Sequence, residues 1–392
     1  MPHDTPLIAT IVAGLGLAFL FGAIAQRFRL PPLVGYLLAG VAAGPFTPGY
    51  VADQGLATEL AEIGVILLMF GVGLHFSLKD LLSVRAIALP GAVVQITVAT
   101  LMGLGLALLM GWSVGAGLVF GLALSVASTV VLLRAMQERR LMETERGRIA
   151  VGWLIVEDIA CVLALVLLPA LASVLGTSDG TMMSDPLAAR FGLGGVLALT
   201  VVKVGLFVGL MLVVGRRVIP WMLHYIAHTG SRELFRLGVL TIALVVAYGA
   251  AKLFGVSLAL GAFFAGMILS ESQLSQRAAQ ESLPLRDAFA VLFFVSVGML
   301  FDPTSLVREP WPLLATLFII IVGKSVAAFL IVRAFGHPSG TALTISASLA
   351  QIGEFSFILA ELGVKLNLLP TAGRDLILGG AILSIMLNPL TF

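Results

Sequence analysis

Charge and cysteine are what this sequence has least of. Only 11% of its 392 residues are Asp, Glu, Lys or Arg, against about 25% in a soluble domain. Apolar residues make up 59% of the chain. That balance excludes a water-exposed globule of this length, because lipid must cover the apolar surface. The one cysteine, Cys161, falls inside an apolar segment, which excludes a disulfide framework within the chain. The formal net charge is +2, with no acidic or basic tail to point to nucleic acid. A Walker A loop, a dinucleotide fingerprint and an HExxH helix are all missing. ATP is therefore not the direct driver, and any energy must come from an ion gradient. The opening stretch MPHDTPLIATIVAGLG lacks a basic n-region and a clear cleavage site, so it reads as a retained helix and not a signal peptide.

What is present is a succession of apolar runs. About thirteen can be marked, at 6–26, 33–44, 56–75, 87–110, 113–137, 148–173, 193–218, 234–252, 256–270, 285–301, 311–334, 340–363 and 372–392. Some are short for a span of about 20 residues, as in transporters whose irregular backbone lines a cavity. Glycine is abundant at 43 residues, which suits close helix packing in lipid. With thirteen alternating helices and the N-terminus outside, one set of connections collects Arg134, Arg139, Arg140, Arg146 and Arg148 in one loop. It also collects Arg216, Arg217, Arg232 and Arg236 in another. The opposite set holds only Arg190, Lys252, Arg308, Lys365 and Arg374. The basic set is cytoplasmic by the positive-inside rule, and the C-terminus lies on that side. A long outer loop at 174–192 divides six helices from seven, and 219–233 reads as an amphipathic connection at the inner surface.

The chemistry concentrates in a few polar residues inside these runs. Glu157 and Asp158 interrupt the run 149–174, with Asp158 nine residues in. That is about 13 Å along a helix, near the midplane of a core about 30 Å thick. Ionisable groups at that depth mark ion paths or proton relays by default; the bland alternative is a structural ion pair that locks helices. Neighbours on a helix point about 100° apart, so one carboxylate can face an ion path while the other pairs elsewhere. Lys324 also sits near mid-bilayer in its run. Pairing with a carboxylate would keep it charged, and Glu157 is the candidate. Ser125, Ser128 and Thr129 share one helix face in the fifth run. Their hydroxyls and freed carbonyls suit a dehydrated alkali cation, or equally ordinary interhelical hydrogen bonds. Gln351 and Glu354 share a face in the twelfth run. Glu354 could offset the positive N-terminal ends of broken half-helices or titrate as a second site. The fifth and twelfth runs oppose one another in direction, and both carry polar interruptions. Such pairs point to a midplane binding site within an inverted repeat.

Taken together, LPPLVGYLLAGVAAGP (30–45), EIGVILLMFGVGLHFSLKDL (62–81), LSVASTVVLL (124–133), VEDIACVLALVLLPAL (156–171), VSLALGAFFAGMILSES (256–272), FFVSVGMLFDP (293–303) and AQIGEFSF (350–357) carry a resemblance across essentially the whole chain. It resembles the membrane domain of the monovalent cation:proton antiporter-2 family, close to the Kef-type potassium/proton antiporters. The resemblance implies an all-α polytopic fold of about 13 transmembrane helices, with an inverted repeat and two broken helices crossing at the ion site. Residues 1–392 would form one antiporter membrane domain, a dimer scaffold plus a core bundle that moves as an elevator. Asp158 would be the transporting carboxylate, with Glu157 before it and Ser128, Thr129 and Gln351 at the crossing. Lys324 and Glu354 would serve as ion-pair and helix-dipole compensation. The implied substrates are a monovalent cation, K+ or Na+, and the proton, with no cofactor. The implied setting is a bacterial inner membrane, as a homodimer. Glu-Asp stands where many relatives have Asp-Asp or Gln-Asp. Kef-type chains usually continue into a cytoplasmic nucleotide-binding regulatory domain, whereas this sequence stops at LNPLTF.

Other classes leave different marks. A gated potassium channel would carry a repeated carbonyl-lined filter, and none is seen. A membrane-embedded enzyme would need a nucleophile–base or metal pair, and Cys161 has no convincing partner. A receptor without transport is a third alternative. Counterflow of protons and cations in liposomes separates all of these.

Overall fold

In a computed structural model of the chain, the described residues are 6–48, 52–75, 78–142, 144–175, 202–272, 274–308 and 310–391. They are helical throughout, without a strand among them. The long outer loop expected at 174–192, and the start of the run at 193–218, lie largely outside the described residues. The helices are α1 (Pro6–Arg27), α2 (Pro32–Ala43), α3 (Gln54–His75), α4 (Leu78–Leu109), α5 (Val114–Ser125), α6 (Thr129–Glu138) and α7 (Glu145–Leu175). There follow α8 (Arg216–His228), α9 (Arg232–Gly249), α10 (Leu258–Ser270), α11 (Ser275–Met299), α12 (Ser305–Arg308), α13 (Pro310–Phe318), α14 (Lys324–Ala334), α15 (Ser339–Ser348), α16 (Glu354–Lys365) and α17 (Thr371–Thr391). Three π-helical turns occur: Met211–Gly215 and Ile319–Gly323 interrupt otherwise continuous helices, and Ala250–Phe254 ends α9 at Gly255. Among the described residues, seven helices are long and apolar enough to cross a membrane, and shorter apolar helices accompany them.

The chain divides into two compact units. The first comprises residues 1–19, 42–77 and 179–299. In it α3 runs against α10 and α11 at backbone distance. A Cβ on Gly73 would lie 2.3 Å from the Phe263 carbonyl oxygen, and one on Gly64 would lie 2.5 Å from that of Phe289. Without a hydrophobic drive between helices in lipid, such close van der Waals contact is the main source of cohesion. The sequence suggested a separate amphipathic connection at 219–233. Instead, the helix at 202–210 continues through a π-turn into α8 without a break. Only Ile219 and Leu223 of α8 are buried.

The second unit comprises residues 20–41, 78–178 and 300–392. It contains every residue singled out for ion binding. Here α4 and α5 touch at Gly103 and Gly121, where a Cβ on the former would meet the latter's Cα at 2.3 Å. The two runs expected to be interrupted are each two half-helices. Val126–Ser128 separates α5 from α6, and residues 349–353 separate α15 from α16. A cluster around Trp153, Leu132, Met136, Ile345, Leu349 and Ala328 packs beside both interruptions. It fixes α6, α7, α14 and α15 around one point.

Candidate functional site

The two interruptions meet. Broken helices leave backbone groups with no partner in their own helix, and side chains from the opposite segment and from neighbouring helices supply partners here. The Gln351 amide grips the peptide of Ser128. Its Oε1 accepts from Ser128 N–H at 2.8 Å, and its Nε2 donates to Ser128 O at 3.2 Å and to Ser348 O at 3.3 Å. Ser356 Oγ donates to Ala123 O at 2.6 Å, near the end of α5. Ser128 caps α6 through its own Oγ, which accepts from Val131 N–H and donates to Glu354 Oε2 at 3.2 Å. The approach depends on Gly353, because a Cβ there would stand 2.4 Å from the Ser128 Cα. Only glycine permits two backbones to come so close.

Charges sit at the half-helix ends. Glu157 Oε2 accepts from Ala127 N–H at 2.8 Å, just ahead of α6. Glu354 is the first residue of α16. Lys324 Nζ donates to Gln351 O at 3.0 Å, just past the end of α15. Anions thus face helix N-termini and the cation faces a C-terminus, the arrangement that helix dipoles favour. Glu157, the carboxylate that the sequence matches to Lys324, interacts with it through charge and not through a contact ion pair. Lys324 holds a carbonyl of one interruption, Glu157 holds an amide of the other, and no ion pair joins them among the described residues. Both are fully buried.

Asp158 is held differently. Its Oδ2 accepts from Thr129 Oγ1 at 3.3 Å, and its Oδ1 has no hydrogen-bond partner among the described residues although it is buried. The crossing therefore gathers three buried carboxyl groups, Glu157, Asp158 and Glu354, around one buried ammonium, Lys324. Two half-helix N-termini add about half a positive charge each. Uncompensated ions in such surroundings are expensive, so the cluster calls for further positive charge, as protons or a cation. Asp158 Oδ1 and Glu157 Oε1 are both buried without a hydrogen-bond partner among the described residues, and of the two carboxylates Asp158 is the one that also meets a side-chain hydroxyl, that of Thr129. The hydrogen-bonding capacity of Ser128 and Gln351 is already taken up by the crossing, and Ser125 Oγ donates to Leu122 O within its own helix. Of the hydroxyls singled out, Thr129 is the one turned to Asp158. A cavity of about 500 Å³ lined by Arg139, Ser325, Ser346 and Ala350 reaches the chain neighbours of Lys324 and Gln351.

Two residues at the site were not singled out in the sequence. Gln95 of α4 is completely buried, its Nε2 donating to Ser125 O at 3.0 Å and its Oε1 accepting from Trp153 Nε1 at 3.2 Å. Trp153 lies one turn before Glu157 on α7. Gln95 thus ties the end of α5 to the helix that carries both carboxylates. A neutral amide in the middle of the apolar run 87–110 was the available signal.

The sodium/hydrogen exchanger transmembrane family matches residues 15–392. The putative cation/proton antiporter YbaL of Escherichia coli (strain K12) is 64% identical over 392 residues, which is all of this chain and 69% of that protein. K(+) efflux antiporter 4 of Arabidopsis thaliana is 35% identical over 392 residues, 99% of this chain and 64% of the plant protein. The structure is similar to that of the sodium proton antiporter MjNhaP1 from Methanocaldococcus jannaschii, with a TM-score of 0.65 at 18% identity. That match covers 98% of this chain and 96% of the other. With its all-helical fold, its two interrupted helices meeting at buried carboxylates and this agreement along nearly its whole length, the chain belongs to the sodium/hydrogen exchanger transmembrane family and to its Kef-type cation/proton antiporter branch, a family of membrane transporters and not of enzymes.

Proposed function

We propose that the chain exchanges a monovalent cation for protons across a bacterial inner membrane, and that Asp158 is the group the two substrates share. The observation that carries this reading is Asp158 itself, buried at the crossing with one oxygen on Thr129 and the other unpartnered among the described residues. A proton neutralises the carboxylate, and so does an alkali ion with Thr129 Oγ1 as an additional oxygen ligand. The two compete for one place, so each step of transport carries one or the other. Oxygen ligands suit hard cations of this kind. Ser128, Gln351 and Gln95 position the site by holding the crossing together, and Glu157, Glu354 and Lys324 compensate the half-helix ends.

Transport follows an elevator scheme in this reading. The unit containing the site moves across the bilayer as a body, and the chain works as a homodimer. All site residues falling in one compact unit supports this. The cavity beside Lys324 and Gln351 supports access from the side of Arg139, which the arginine distribution makes cytoplasmic. The N-terminus then faces the periplasm. A nucleotide-binding regulator, as a further domain or a separate subunit, would act from the cytoplasm. Relatives are named for K(+) efflux and for cation/proton antiport, so potassium is the first cation to test.

The test is proton flux in proteoliposomes across a series of K+, Na+ and Li+, with the voltage clamped. The expected outcome is cation-driven proton movement by the native chain, with flux at the level of protein-free liposomes for Asp158→Asn at an unchanged melting profile. Normal exchange by that variant removes Asp158 from the mechanism. Cation flux without proton counterflow makes the chain a channel.

A further inference from the structure

The first unit contains a second built feature, remote in sequence from the ion site. Where α8 begins and α10 ends, a cavity of about 460 Å³ opens to the surface. Its polar wall is formed by Arg216, His224, Glu271 and Ser272, and its apolar wall includes Trp221 and Ile268. Arg216 Nη2 and Glu271 Oε2 are 3.0 Å apart and both side chains are more than half exposed. The site therefore presents a cation and an anion side by side, accessible to a ligand. The Ser272 hydroxyl is withdrawn from the surface and has no hydrogen-bond partner among the described residues. A χ1 rotation is enough to redirect such a group.

The outer face of α8 says which medium surrounds this cavity. Trp221 and Tyr225 are 68% and 69% exposed, so no other part of this unit covers them. Their rings stack one turn apart, with centroids at 6.3 Å. Arg216 and Arg217 open the helix, and it holds no acidic residue. Exposed tryptophan and tyrosine beside arginine, on a helix end assigned to the cytoplasmic side, mark the headgroup layer of the inner leaflet.

We propose that this cavity binds the headgroup of an aminophospholipid. The phosphate bridges Arg216 and Ser272, the primary ammonium meets Glu271, and the glycerol and upper acyl chain lie along Trp221 and Ile268. Paired opposite charges argue for this class. A purely anionic headgroup would face the carboxylate of Glu271. A quaternary ammonium could not donate a hydrogen bond to it. A zwitterion joining phosphate to a primary ammonium through a short ethylene bridge satisfies both charges while the Arg216–Glu271 pair opens to admit it.

Native mass spectrometry of the delipidated, purified chain tests the site. The probes are phosphatidylethanolamine, phosphatidylglycerol and phosphatidylcholine with the same acyl chains. The native chain is expected to retain phosphatidylethanolamine over both competitors. Glu271→Gln should erase the preference over phosphatidylcholine. Ser272→Ala should weaken phosphatidylethanolamine retention about tenfold, the loss of one charge-assisted hydrogen bond. Arg216→Gln should weaken all three lipids. Arg216 and Glu271 are exposed, so folding survives their replacement, and a melting curve checks it. Equal or tighter retention of phosphatidylglycerol by the native chain overturns the proposal. So does an unchanged phosphatidylethanolamine preference in Glu271→Gln.

Discussion

At the scale of single residues, the site depends on two that carry no charge. Gly353 lets the interrupted helices touch, and its missing side chain does the work. In Gly353→Ala the new methyl would meet Ser128 backbone, which cannot rotate away as a side-chain tip can. The crossing must separate, breaking the Gln351 clasp. Overpacking of this kind costs about 1–3 kcal/mol, so a clear drop in melting temperature and a loss of cation-driven proton flux are expected. A variant that melts and transports normally would show that the crossing tolerates separation. Gln95 acts by hydrogen bonding. Gln95→Leu leaves the Ser125 carbonyl and the Trp153 indole unpaired, at about 1–3 kcal/mol for each buried group. Trp153→Phe orphans one partner only, the Gln95 carbonyl oxygen, and adds the cost of the space vacated in a fully buried position, so it too should melt below the native chain. A weaker apparent affinity for the cation should accompany both, because Asp158 rides on the same helix as Trp153. If Gln95→Leu melts like the native chain, Gln95 holds nothing in place.

At the scale of elements, the interrupted helices were legible and their mutual arrangement was not. Polar residues inside the fifth and twelfth runs announced two breaks, and the breaks fall at Val126–Ser128 and at residues 349–353. The hydrogen-bond partner of Lys324 could not be read that way. Complementary charge singled out Glu157, yet the ammonium reaches the carbonyl of Gln351. A sequence lists side-chain charges but not the partial charges at helix ends, which exist only once the helices break. The two ions still act on one structure, since each secures one strand of the crossing. Removing Lys324 alone leaves carboxylates without their cation, and breaking such a buried arrangement costs about 3–5 kcal/mol. Lys324→Met and Glu157→Gln should each destabilise strongly, while the double variant should lose less than the sum. Thermal or chemical unfolding of all four forms measures that coupling, for which interacting residues show about 0.5–3 kcal/mol. Strict additivity would mean that the two charges act independently.

At the scale of the whole molecule, composition sufficed for the class, and the arginine distribution supplies the proposed orientation. Low charge and repeated apolar runs require lipid, and the described helices include seven able to span it. The run ends were harder to place, because apolar helices continue past the membrane boundary. The stretch 219–233 read as an amphipathic connection, and its first ten residues continue the preceding helix to His228. The orientation makes a prediction of its own. Thr229 and Lys252 stand at opposite ends of the span Arg232–Phe254, and both are exposed. With cysteines placed singly at these positions in a Cys161→Ser background, a membrane-impermeant maleimide applied to right-side-out vesicles should label Lys252→Cys. Thr229→Cys should react only after the membrane is opened. The background is clean because Cys161 is buried and is the one native thiol. Thr229 belongs to the arginine-rich set of connections and Lys252 to the arginine-poor set, so the reverse pattern would invert every helix. The cavity beside Lys324 and Gln351 would then open to the periplasm, and the cytoplasmic access proposed for the site would become periplasmic.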